Sequence, residues 1–194
     1  MQLFLMRHGE TEWSRTGQHT GTTDLALLAD GLAQAEALAA VLARRLDGRP
    51  LAAVYASPLK RARQTAAIAL PGQPVELDAD LREFDYGDYE SLTTAEIRGR
   101  APGWNIWRDG CPNGETTPEV GRRADRFLER CARIDGQIAV FSHGHMLRIL
   151  GARALSLAPE QGRLFALDTA SLSIIEDLRG VPVVALWNLT PPRS

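Results

Sequence analysis

The residues of this chain best suited to chemistry sit where short apolar runs stop. Arg7-His8-Gly9 ends the run 3–6, Ser57 ends the run 53–56 with Arg61 one helical turn further on, and Ser142-His143-Gly144 ends the run 138–141. Imidazoles and guanidiniums gathered in one pocket suit phosphoryl transfer. A neutral imidazole can attack phosphorus and carry the phosphoryl group covalently, splitting one displacement into two, and His8 is the candidate nucleophile. Arg7 and Arg61 offer planar donor forks for the equatorial phosphoryl oxygens, where preorganised positive charge does most of the catalytic work. His143 would add a contact to the same oxygens. The leaving alcohol needs a proton and the attacking water must lose one, so a single carboxyl group would serve as acid and then as base. Glu10, Glu12, Glu83 and Asp85 compete for that role. Glu83 lies among aromatic and loop residues, which would desolvate it and raise its pKa.

Strands of one sheet would bring these distant residues together. The runs 3–6, 53–56 and 138–141 read as strands buried on both faces. Asp30-Gly31 opens a helix whose apolar positions Leu32, Ala35, Ala39, Leu42 and Leu46 step by three or four. Ser57-Pro58 reads as an N-cap followed by proline, opening a helix over 59–70. Thr93 with Glu96, and Thr116 with Glu119, have capping-box spacing; the second would open a helix running to about residue 133. A helix over 145–155 follows the third strand, and the segments 172–176 and 183–187 flank Arg179-Gly180 as late strands, a hairpin by their turn. This alternation predicts an α/β fold with a mostly parallel central sheet covered on both faces. In such a sheet the ligand crevice lies beyond the carboxyl ends of the strands. Glycine after each histidine would let the backbone approach a ligand, and helix amino termini after Ser57 and His143 would aim N–H groups at an anion. The segments 14–23 and 102–114 read as loops.

Length and composition agree with one domain spanning 1–194, since 194 residues is near the roughly 150 typical of a domain. With 22 Lys and Arg against 24 Asp and Glu, the chain lacks the basic excess of a nucleic-acid binder. Lys60 is the only lysine, which fits arginine-rich codon usage as well as a taste for bidentate anion contacts. Cys111 and Cys131 match no zinc or redox spacing and read as reduced thiols. Residues 2–6 are too short for a secretory signal, and no apolar run approaches the roughly 20 residues that cross a bilayer. A cytoplasmic protein with no membrane partner is expected.

Three segments carry a resemblance. Leu5-Met6-Arg7-His8-Gly9-Glu10-Thr11, Ser57-Pro58-Leu59-Lys60-Arg61-Ala62 and Ser142-His143-Gly144-His145 resemble, in order, motifs of the histidine phosphatase superfamily, the phosphoglycerate mutase-like proteins. The resemblance implies their three-layer α/β/α fold, a phosphohistidine at His8, a phosphate pocket of Arg7, Arg61 and His143, and Glu83 as proton donor. It places Thr20, Gly21 and Tyr86, with Gly144, against substrate, and implies no metal or organic cofactor. Where the family often has asparagine this chain has Ser14, whose hydroxyl still donates but with shorter reach. The stretch 104–117 resembles the branch of sedoheptulose bisphosphatase and actinobacterial acid phosphatases. Cofactor-dependent mutases carry a longer basic insertion after the catalytic glutamate, and here that region is short.

The expected activity is therefore metal-independent hydrolysis of small phosphorylated metabolites, sugar phosphates or bisphosphates foremost. A phosphoglycerate mutase is the alternative within the family, and a non-catalytic phosphometabolite-binding protein the alternative from another class. A metal hydrolase lacks support, because the four histidines form no His-x-x-x-His or Asp/His cluster. Arg98 and Arg108 read as distal-phosphate ligands or as surface charges, Trp104 and Trp107 as pins for their loop rather than stacking partners for a ligand, and His19 and His145 as loop residues or supports behind the site. No motif sets the oligomeric state, and a homo-oligomer is compatible with all of them.

Overall fold

The apolar run after Met1 becomes β1 (Gln2–Arg7), with Leu3 to Met6 buried on both faces at the middle of the sheet. In this computed structural model, which describes residues 1–192, β1 pairs in parallel with β4 (Gln137–Ser142) and antiparallel with β5 (Leu172–Leu178). On one flank β4 pairs in parallel with β2 (Leu51–Ala56), and β2 with the two-residue edge strand β3 (Glu76–Leu77); on the other, β5 pairs antiparallel with β6 (Val181–Leu189). The order is β3-β2-β4-β1-β5-β6, a mixed sheet that is mostly parallel.

Period-two alternation sends neighbouring residues of each buried strand to opposite layers. Leu3, Leu5, Ile138 and Val140 pack with Val120 and Phe127 of α6 (Thr117–Cys131) and with Met146 and Leu147 of α7 (Gly144–Ala154). Phe4, Met6, Ala139 and Phe141 pack with Leu38 and Leu42 of α2 (Ala29–Leu46) and Ala66 of α3 (Lys60–Ala69). The capping boxes Thr93/Glu96 and Thr116/Glu119 form as their spacing predicts and open α4 (Thr94–Arg100) and α6. The two late strands do form an antiparallel pair. Among the described residues no helix is long and apolar enough to cross a membrane.

Several local expectations are corrected. Ser57 is not the cap of α3: its Oγ accepts from Leu59 N at 3.3 Å and lies 2.7 Å from His143 Nε2, while α3 begins at Lys60, whose N–H donates to Asp24 Oδ1 at 2.6 Å. The segment expected as a loop from Ser14 starts inside α1 (Glu12–Thr16), where Thr11 and Ser14 close a capping box. The loop 102–114 contains α5 (Ile106–Asp109). The buried stripe of α2 is Gly31, Ala35, Leu38 and Leu42, while Leu32 is 37% exposed. Backbone contact sets this rotation. A Cβ on Gly31 would stand 2.2 Å from Glu10 O, and one on Gly9 would stand 2.3 Å from Gly31 O. The glycine after His8 therefore serves the seating of α2 against the strand end, not a ligand.

Because the stripe is rotated, Leu38→Ala should cost about 2–5 kcal/mol by cavity formation, whereas Leu32→Ala should stay within about 0.5 kcal/mol. Denaturant unfolding of the two variants checks this, and equal losses would contradict the seating described.

Candidate active site

Parallel pairing sets Arg7 opposite Ser142 and Ala56 opposite Phe141, so the carboxyl ends of β2, β4 and β1 stand side by side. The ladder continues into the site, with His8 N–H donating to Ser142 O at 3.0 Å and Ala170 N–H to His8 O at 3.0 Å. His8 is 5% exposed, and its ring lies 5.2 Å from that of His143. His8 Nδ1 is 2.7 Å from Gly9 O. A carbonyl only accepts, so Nδ1 holds the proton and Nε2 keeps its lone pair. Burial, and after it the charges of Arg61 and Arg7, push His8 well below the ordinary histidine value of 6.5.

His143 is fully buried. Arg61 Nε donates to its Nδ1 at 3.1 Å, which puts the ring proton on Nε2, 2.7 Å from Ser57 Oγ. Burial, then Arg61 and His8, hold His143 well below 6.5 too. Arg61 itself departs from the expected phosphate fork. Its Nη1 donates to Thr23 O at 2.9 Å and its Nη2 to Thr20 O and Gly21 O at 3.0 and 3.1 Å, leaving a single N–H uncommitted among the described residues. It therefore ties the loop carrying Thr20 to His143 beneath the site.

Glu83 is 8% exposed, and its surroundings are less apolar than the sequence suggests. Its Oε1 accepts from Phe84 N and Met146 N, both at 2.9 Å, and its Oε2 from His145 N at 3.1 Å. The carboxylate thus occupies the amino end of α7, as Asp24 occupies that of α3. Both helix ends expected to meet a substrate anion already hold protein carboxylates.

Arg7, His8, Ser14, Thr20, Glu83, Tyr86 and Gly144 all line one cleft of about 180 Å³. Arg7 Nη1 donates to Leu167 O at 2.6 Å, and its buried Nε has no hydrogen-bond partner among the described residues. Gly144 lies between Arg7 and Glu83: a Cβ there would be 3.5 Å from Arg7 Cζ and 3.6 Å from Glu83 Oε2.

The family model for the histidine phosphatase superfamily (branch 1) matches residues 3–190. The chain belongs to the histidine phosphatase superfamily. It is 40% identical to an acid phosphatase of Mycobacterium tuberculosis, over 97% of this chain and 93% of that protein. It is 39% identical to the sedoheptulose 1,7-bisphosphatase of Saccharomyces cerevisiae, over 78% of this chain and 66% of the yeast enzyme. A solved Mycobacterium tuberculosis protein superposes with a TM-score of 0.89 at 38% identity, over 98% of both chains.

Two expected contacts of this histidine phosphatase depart from the sequence reading. Ser14 Oγ donates to Thr11 O at 3.0 Å and accepts from Thr11 N at 2.8 Å, so its hydroxyl is spent on capping α1 although it lines the cleft. Gly21 is absent from the cleft lining; its N–H goes to the Glu90 carboxylate, at 3.0 and 2.9 Å from the two oxygens, and a Cβ there would meet Phe84 O at 2.6 Å. Arg98 donates to Trp104 O, and Arg108 is exposed and paired with Asp109, so neither lines the cleft. Trp104 does pin its loop, donating to Gly110 O at 2.8 Å. Sequence reasoning missed Arg148 and gave His145 a loop role or one behind the substrate contacts. Arg148 lies one helical turn beyond Gly144, stacks over Trp107 at 4.6 Å, donates to Gly162 O and lines the cleft. His145, also lining it, has Nδ1 at 2.7 Å from Tyr86 Oη. The i,i+4 spacing from Gly144 was the available signal for Arg148.

Protonated His8 has no lone pair, and its depressed pKa moves that loss to lower pH. With an aryl phosphate, and after correction for substrate ionisation, kcat/KM should hold as pH falls through 6.5 and decline only well below it. Folding stability should fall over the same range. Unfolded histidines take up protons below about 6.5 while buried His8, His143 and His145 do not. An acid limb centred at 6.5 would contradict the environment described for His8.

Proposed function

We propose that this chain is a phosphatase for small phosphorylated metabolites that works through a phosphohistidine at His8, as one catalytic domain over 1–194, in the cytoplasm and with no metal or organic cofactor. It is a phosphoric monoester hydrolase of the histidine phosphatase family. The observation that carries the reading is the 2.7 Å contact of His8 Nδ1 with Gly9 O, which leaves Nε2 as a lone-pair nitrogen in a cleft lined by Arg7. Nε2 attacks phosphorus as the ester P–O bond breaks, and the Glu83 carboxyl group passes a proton to the leaving oxygen. In the second half Glu83 takes a proton from water, the water oxygen displaces the imidazole, and inorganic phosphate leaves. Arg7, with its unpartnered Nε, is the guanidinium best placed to hold the transferring group. His143 and Arg61 act beneath it by fixing each other and the Thr20 loop.

The cleft favours small substrates, since about 180 Å³ is below the roughly 300–1,000 Å³ of sites for drug-sized ligands. Two cations line it, Arg7 and Arg148, and Arg148 makes no ion pair with a carboxylate among the described residues. A substrate with two anionic groups fits that layout, and the yeast relative is a sugar bisphosphatase by name. Arg98 and Arg108, turned to their own loop, do not add a second clamp of the kind a mutase needs to retain a bisphosphate while it turns over.

Wild-type protein quenched with labelled sugar phosphate should yield an acid-labile phosphoenzyme that His8→Ala lacks, and turnover by His8→Ala at the wild-type rate would refute the mechanism. With phosphoglycerate and its bisphosphate primer, phosphate release should outrun isomer formation. The reverse order would make the protein a mutase, and tight binding with neither product would make it a binding protein.

A further inference from the structure

Arg123 of α6 is nine-tenths buried and touches no part of the cleft lining except through Glu83 and its neighbours, yet every one of its donors is engaged. Nε and Nη2 grip the Glu115 carboxylate bidentately at 2.7 and 2.8 Å. Nη1 donates to Asp80 O at 2.6 Å and Arg82 O at 3.0 Å, and Nη2 to Glu83 O at 3.3 Å. Glu115 carries the grip across to the other side of Glu83, because its Oε2 accepts from Asp85 N at 2.9 Å and its own N–H donates to Asp85 O at 2.9 Å. Backbone groups before, at and after Glu83 therefore converge on one ion pair. Arg123 Nη1 also lies 3.5 Å from Met146 Sδ, and Met146 N is one of the donors to the Glu83 carboxylate. The segment bearing Glu83 and the helix end that receives its carboxylate are thus referred to the same guanidinium.

We propose that Arg123, locked to Glu115, is the positioning residue that holds the Glu83 carboxyl group at the depth where it meets the leaving oxygen of the substrate. The inference rests on the reading of Glu83 as the proton donor. Residues 82 to 87 belong to no helix or strand that would hold Glu83 by itself, apart from one turn that begins at Gly87. A loop carboxylate that must transfer a proton needs its position fixed from behind, since misplacement of a reacting group by about 1 Å can cost on the order of 100-fold. A charged five-donor fork suits that task, because no single neutral donor spans three carbonyls and a carboxylate. Removing it would leave Glu83 in the chain but free its anchor.

The test uses Arg123→Met, with Arg123→Lys and Glu115→Gln as variants that keep the fold if the methionine does not. Amide exchange is read at His145 and Met146, whose N–H groups the Glu83 carboxylate protects. Phosphoenzyme formation is read with an alkyl and an aryl phosphate. Exchange at both amides should accelerate. Alkyl phosphate should lose about 10- to 100-fold while aryl phosphate, whose leaving group needs little protonation, loses less than about 3-fold. Adding Arg123→Met to Glu83→Gln should cost the alkyl substrate nothing more, as expected of residues acting through one another. Unchanged exchange at His145 and Met146 would overturn the proposal, as would equal losses on both substrates in a protein where Glu83→Gln remains alkyl-selective. Faster exchange combined with a Glu83→Gln that is not alkyl-selective would leave Arg123 as the anchor and would refute the acid role of Glu83 instead.

Discussion

The hydrogen bond from His8 Nδ1 to Gly9 O is the constraint around which the site is arranged. An imidazole surrounded by burial and positive charge stays neutral, and a neutral imidazole has two tautomers of which one is useful here. Fixing Nδ1–H with a carbonyl selects the tautomer whose Nε2 lone pair is exposed to the cleft. That carbonyl belongs to the residue directly after His8, so the bond survives only if the chain turns sharply and stays put. The turn is held by a hydroxyl and by backbone contact: Gly9 N–H donates to Thr65 Oγ1 at 3.1 Å, and the backbone at residues 9, 10 and 31 approaches so closely that neither Gly9 nor Gly31 tolerates a Cβ. The seating of α2 and α3 on the sheet is in this sense part of what fixes the His8 tautomer.

Much of the fold could be read because buried parallel strands announce themselves as unbroken apolar runs that end in polar residues. The runs at 3–6, 53–56 and 138–141 became three neighbouring strands, in the order β2-β4-β1, which stands the polar residues that end them side by side. What the sequence misplaced had close backbone contact as its cause. Leu32 looks as apolar as Leu38, and only the approach of Gly31 to Glu10 decides which of them faces the core. Ser57-Pro58 has good capping chemistry, but the helix starts further on at Lys60, the Ser57 hydroxyl meets His143 and Leu59 N–H, and a distant carboxylate, Asp24, caps the helix in its place. The two-residue strand β3 is too short to leave any periodic trace.

The site was legible as a set of residues and less so as a set of contacts. Arg7, His8, Thr20, Glu83, Tyr86 and Gly144 meet as expected, while Ser14 lines the cleft with its hydroxyl bonded to protein, and Arg61 and Gly21, bonded to protein as well, lie outside the lining. Residue type predicts what a group can donate, whereas the partner that takes the donation depends on carbonyls and carboxylates of other segments. Arg148 shows the converse. Nothing in its type separates it from the other arginines, and it enters the cleft because α7 starts at Gly144 and returns to the same face one turn later.

Seen together, the polar groups of this region divide sharply. Glu83, Asp24, Glu90 and Glu115 each satisfy backbone N–H groups of neighbouring segments, Arg61 and Arg123 satisfy carbonyls, and His143 is bonded through both ring nitrogens. An unpaired buried donor costs about 1–3 kcal/mol, and the described residues leave that cost on the Nε of Arg7, the cation adjoining His8. An anion bound there would recover that cost beside His8. A transferring phosphoryl group carries its charge on equatorial oxygens throughout the displacement. On the mechanism proposed above, a phosphoryl oxygen would therefore satisfy the Arg7 donor, while the carboxylates and carbonyls around it already have their partners within the protein.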